Sequence, residues 1–113
     1  MKHISAVIIF FLLPTVAYAH SKMDATSPTD GAVLNEAPTE IAFTFSGKLR
    51  LTKVEASHSS GGAQTIDLSD HTSFTNEFTL PIDPMGPGSY DIEWRGLGTD
   101  GHAMQGSFTF NVE

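Results

Sequence analysis

The clearest signal along this chain is a period-two alternation of apolar and polar positions. Ile41, Phe43 and Phe45 alternate with Glu40, Ala42 and Thr44, which predicts a half-buried strand over Glu40 to Phe45. Leu49 to Ala56 also reads as extended, but its apolar set slips from Leu49 and Leu51 to Val54 and Ala56, and a one-residue slip predicts a bulge. Tyr90, Ile92 and Trp94 alternate with Asp91, Glu93 and Arg95, and Phe108, Phe110 and Val112 alternate with Ser107, Thr109 and Asn111. These are the two most regular strands expected. Shorter ones are predicted at Gln64 to Leu68 and Asn76 to Leu80.

Between the strands lie strong breakers. Ser27-Pro28-Thr29-Asp30-Gly31 is a dense turn signal, Ser57 to Ala63 is rich in Ser and Gly, and Pro81, Pro84 and Pro87 interrupt regular structure. His20 to Pro28 shows no periodicity and is expected to lie across the domain as an irregular segment. No window has sustained helical spacing. About seven short strands with turns between them predict an all-β fold, a Greek-key β-sandwich of immunoglobulin-like size, in one domain over residues 20–113.

Residues 1–19 read as a cleaved signal peptide, with Lys2, an apolar run from Ile4 to Leu13, and Ala17-Tyr18-Ala19 as a small-x-small cleavage site. The run is too short for a membrane span, so no membrane insertion is expected after cleavage, and the mature chain would begin at His20. It would carry five Lys and Arg against all thirteen acids, a formal charge of −8. That excludes nucleic acid and anionic lipid as natural partners. There is no cysteine, so the sandwich has no disulfide, and Cys-based zinc and blue-copper centres are excluded.

The candidate chemistry joins two distant places. In an extended Asp100-Gly101-His102, the carboxylate and imidazole would leave the same side of the backbone. A mature N-terminal His20 would add its α-amine and a ring nitrogen, which together close a chelate ring. Three nitrogens and one carboxylate oxygen in a tetragonal arrangement suit Cu(II), whereas Mg and Ca favour oxygen cages. Asp-Gly is also a common turn dipeptide, so the competing expectation is a plain turn in a metal-free sandwich that binds a protein partner. His58 and His71 sit in polar stretches and are expected at the surface, while Met104 falls on the inward parity of the last strand and is expected in the core.

The order and spacing of several segments resemble the CopC/PcoC family of periplasmic copper-binding proteins. They are the start at His20, Ser27 to Leu34, Ala37-Pro38 with Ile41 to Phe45, Gly88 to Arg95, and Asp100-Gly101-His102 followed by Gly106, Phe108, Phe110 and Val112. The resemblance implies a cupredoxin-like sandwich or barrel and a periplasmic location, with a role in copper resistance, buffering or delivery. It also implies one Cu(II) per chain on His20, Asp100 and His102, exchanged with a membrane copper transporter or another periplasmic copper protein. Two departures stand out. The stretch His58 to His71 lacks the methionines that some relatives use for Cu(I), and Gly47 follows Phe45-Ser46 where some relatives have Glu. A Cu(II)-only binder is therefore expected. An N-terminal His paired with another also occurs in copper mono-oxygenases, but this chain is short for one and has no evident aromatic platform, so no enzymatic activity is expected.

Overall fold

A computed structural model describes residues 19–20, at the level of the backbone, and residues 23–113. The expected signal peptide therefore lies outside the described residues except for Ala19. Eight strands follow in order: β1 (Ala19–His20), β2 (Met23–Ser27), β3 (Ala32–Leu34), β4 (Glu40–His58), β5 (Ala63–Thr65), β6 (Thr75–Pro81), β7 (Gly88–Gly98) and β8 (Ala103–Val112). No described residue is helical. The all-β expectation is borne out.

The main departure is β4. The two segments predicted as separate strands form one strand of 19 residues. Its first half pairs with β2 and β6, and its second half with β7 and β5. The register shifts between Thr44 and Leu49, around the exposed Ser46-Gly47-Lys48, so the strand bends there and the single eight-stranded sheet curls back on itself to make two facing layers. The predicted bulge is present between Leu51 and Lys53.

The two layers close over side chains that the alternation had marked. Phe43 and Phe45 from the first half of β4 meet Phe108 of β8 and Trp94 of β7, with ring centroids 6.0 and 4.8 Å apart. Phe43, Phe45, Phe108 and Trp94 are essentially inaccessible to solvent. Gly106, opposite Trp94 on β8, leaves room for the indole: a Cβ there would stand 2.8 Å from Trp94 Nε1.

The segment before β4 is more ordered than its lack of periodicity suggested. β2 is an edge strand with an irregularity between Met23 and Ala25, which spoils the alternation. The Ser27-Pro28-Thr29-Asp30-Gly31 motif makes the turn to β3, with the Ser27–Pro28 peptide in cis. Gly31 takes a φ of +82°, and Ala32 N–H donates to Thr29 O over 2.9 Å. Asp30 then does a strand's work with its side chain, since its Oδ1 accepts the Thr109 N–H of β8 at 2.9 Å. From there β3 runs parallel to the end of β8.

Candidate metal centre at the β7–β8 turn

The connection carrying the candidate site is short. β7 continues to Gly98 and β8 starts at Ala103, so only Thr99 to His102 form the turn. Asp100-Gly101-His102 is thus not extended, because Gly101 adopts a φ of +84°. Gly101 N–H donates to Gly98 O at 3.0 Å, and Gly98 N–H to His102 O at 2.9 Å. The turn dipeptide reading of Asp-Gly was right about the backbone.

The turn nevertheless brings the two side chains together. Asp100 Oδ1 accepts the His102 N–H at 3.1 Å, and Oδ2 lies 2.6 Å from His102 Nδ1. Both side chains are well exposed, at 65% and 79%. With Nδ1 turned to the carboxylate, His102 presents Nε2 outward, the arrangement common to metal-binding histidines whose other ring nitrogen is held by a carboxylate. A carboxylate has about four lone-pair sites, so Asp100 keeps acceptor capacity beyond these two bonds.

The hydrogen bond from the His102 ring, with the one from the His102 backbone N–H, holds the Asp100 carboxyl below its ordinary value of 3.8. A carboxyl depressed in this way favours the folded turn above its ordinary pKa and loses that contribution as pH falls through the lowered value. Carboxyl-carbon NMR is expected to place the Asp100 midpoint below 3.8, with H102A moving it back up. A midpoint at or above the ordinary value would mean that the pair does not form in solution.

His20 lies in β1, which runs parallel to the start of β8 with Ala19 opposite Met104 and His20 opposite Gln105. Its side chain lies outside the described residues. Gln105 is three positions beyond His102, a rise of about 10 Å along an extended chain. Among the described residues, no three His, Cys, Asp or Glu side chains converge as a metal site; Asp100 and His102 bring two potential donors together.

The other histidines differ from each other. His71 is half-buried, whereas His58, expected at the surface, is only 7% exposed. Its Nδ1 accepts the Ser60 N–H at 3.1 Å and sits 2.7 Å from Ser60 Oγ, and its Nε2 faces Gly86 O at 3.3 Å. The ring stands edge-on to Tyr90. Gly88 makes this possible, since a Cβ there would be 2.7 Å from His58 Nε2. The polar Ser-Gly neighbours that suggested solvent are the partners that satisfy a buried ring. Arg95 faces outward as predicted.

Fold and turn together define a class: a small β-sandwich presenting a His–Asp pair on an end hairpin, close to the β1 segment that carries His20. The family model for the CopC domain matches residues 23–113, and the chain belongs to that family. It is 28% identical over 111 residues to copper resistance protein C of Pseudomonas syringae pv. tomato, covering 90% of this chain and 87% of that one. It is 30% identical over 111 residues to copper resistance protein C of Escherichia coli, covering 86% and 84%. The crystal structure of CopC from Methylosinus trichosporium OB3b superposes with a TM-score of 0.62 at 25% identity, over 83% of this chain and 94% of that one. The resemblance carried by the sequence motifs is borne out, and the family is one of copper resistance proteins rather than enzymes.

Proposed function

We propose that this protein is an exported, periplasmic copper carrier or buffer. It binds one Cu(II) per chain through the α-amine and ring of a mature N-terminal His20, the His102 ring and, more weakly, the Asp100 carboxylate. No catalytic step is involved, and the ion passes to or from a membrane copper transporter or another periplasmic copper protein. The observation that carries this reading is the parallel register of β1 on β8. In a parallel pair, moving towards the N-terminus on one strand moves the same way on the other. The amine freed at His20 therefore points along β8 towards Met104 and the His102 turn. Both family and donor set favour copper: the relatives from Pseudomonas syringae and Escherichia coli described above are copper resistance proteins, and nitrogen-rich tetragonal sites select Cu(II).

The test is a Cu(II) titration of the chain beginning at His20, with its N-terminus verified by mass spectrometry. A one-to-one complex with a nitrogen-rich, tetragonal electron paramagnetic resonance spectrum is expected. Trp94, the single tryptophan of the chain, pairs with Gly106 one residue beyond Gln105, so its fluorescence should be quenched in step with loading. A chain that forms no stoichiometric complex would instead support a metal-free sandwich that binds a protein partner.

A further inference from the structure

We propose that Met104 supplies a thioether to the Asp100–His102 turn, so that this end of the domain also holds a soft monovalent cation, Cu(I). The inference rests on the proposed function only in taking the turn as the place where metal arrives; it does not need His20.

The geometry starts at Gly98. The position its Cβ would occupy lies 3.0 Å from Asp100 Oδ1 and 3.4 Å from Met104 Sδ. Carboxylate and sulfur therefore border the same small space, which is open because residue 98 has no side chain. Met104 is half-buried at the start of β8 and packs against the rim of the core. On its open side it lines a shallow depression of about 250 Å³ with Leu97, Ala103 and Gln105, so solvent reaches it. It also stands opposite Ala19 in β1, the residue that export would remove, which leaves the new amine beside it.

The chemistry of the residue fits that position. A thioether is soft, uncharged and polarisable, and such ligands select Cu(I) over the harder divalent ions. Methionine has three rotatable bonds, so Sδ can swing towards an ion held by His102 without moving the strand. Of the other described methionines, Met85 has its sulfur beside Gly62, next to the loop that holds His58, and Met23 is on the edge strand β2. The soft site would thus rest on Met104 beside the Asp100–His102 turn, not on a methionine cluster. The expectation of Cu(II) alone came from the missing methionines between His58 and His71; the donor lies instead two residues beyond the Asp-Gly-His turn.

Ag(I), a soft cation with no accessible redox change here, is the first probe. It is added to methyl-labelled methionine protein in two forms, the full chain and the chain beginning at His20. Saturating Ag(I) is expected to shift the Met104 methyl and His102 ring signals in both. M104L, which keeps the volume and removes the sulfur, is expected to bind Ag(I), and Cu(I) under anaerobic competition, at least about tenfold more weakly, the scale on which even outer-shell changes move metal affinity. Cu(II) affinity of the processed chain should be unchanged by M104L. A Met104 methyl signal that stays in place at saturating Ag(I), or M104L binding Ag(I) as tightly as the parent, overturns the inference. If Cu(II) binding fails while the Ag(I) response is intact, the N-terminal reading falls and the Met104 site stands.

Discussion

One extra residue placed before His20 is expected to weaken Cu(II) binding by more than about 100-fold, since changes outside the ligand set alone cost 10–100-fold. The added residue converts the amine into an amide, which is not a ligand near neutral pH, and breaks the chelate ring without changing the sandwich. H102A should be comparably damaging, because it removes the imidazole that the proposed site takes from the turn. D100N should cost less: the amide oxygen can still accept one of the two His102 hydrogen bonds, while the charge and the second acceptor oxygen are lost. Competition with a chelator of known strength orders the three. Affinity of the processed chain should also fall as pH drops, because copper must displace protons from groups with ordinary values of about 6.5 for imidazole and 7.7 to 8.0 for the amine. If the blocked chain binds as tightly as the processed one, the ligand set is wrong.

The second large effect concerns the core. Phe43→Ala is expected to destabilise the domain by about 3–5 kcal/mol. The ring is 1% exposed and touches Phe45 and Phe78 within its own layer and Phe108 across the interface. Truncation would leave a cavity walled by three other rings, which cannot all collapse into it. A domain of this size has a total stability of about 5–15 kcal/mol, and with no cysteine there is no covalent link to limit the loss. Thermal and urea unfolding followed by circular dichroism would show a midpoint lowered by tens of degrees or a chain largely unfolded. A cost below about 1 kcal/mol would mean that the two layers do not meet at Phe43.

Much of this architecture was legible because a half-buried strand writes its own pattern. Ile41, Phe43 and Phe45, then Tyr90, Ile92 and Trp94, then Phe108, Phe110 and Val112 are all buried as their parity required. Even the slip between Leu51 and Val54 marked a real bulge. What the pattern could not carry was long-range pairing. β2 has only one protected edge and an irregular register, so its residues never alternate, and nothing in Ser46-Gly47-Lys48 says that the strand continues through them. His58 was missed because its partners are backbone atoms and a serine two residues away, which sequence cannot distinguish from a polar loop. The Asp100–His102 pair was legible in composition and misjudged in conformation: a positive φ at Gly101, not an extended backbone, turns the two side chains to each other.

The continuous β4 has a further consequence. Its nineteen residues serve as half of one layer and half of the other, so the layers cannot part like two hinged leaves; opening either strips part of a strand that the other still needs. Cleavable states would then arise by opening of the whole domain more than by fraying of one sheet. If copper binds at the end hairpin as proposed, it would stabilise the native state as a whole, in proportion to RT ln(1 + [L]/Kd). On that reading a protease in the same compartment would attack empty chains first, wherever on the sandwich its cutting site lies, and a copper-loaded chain would outlast an empty one.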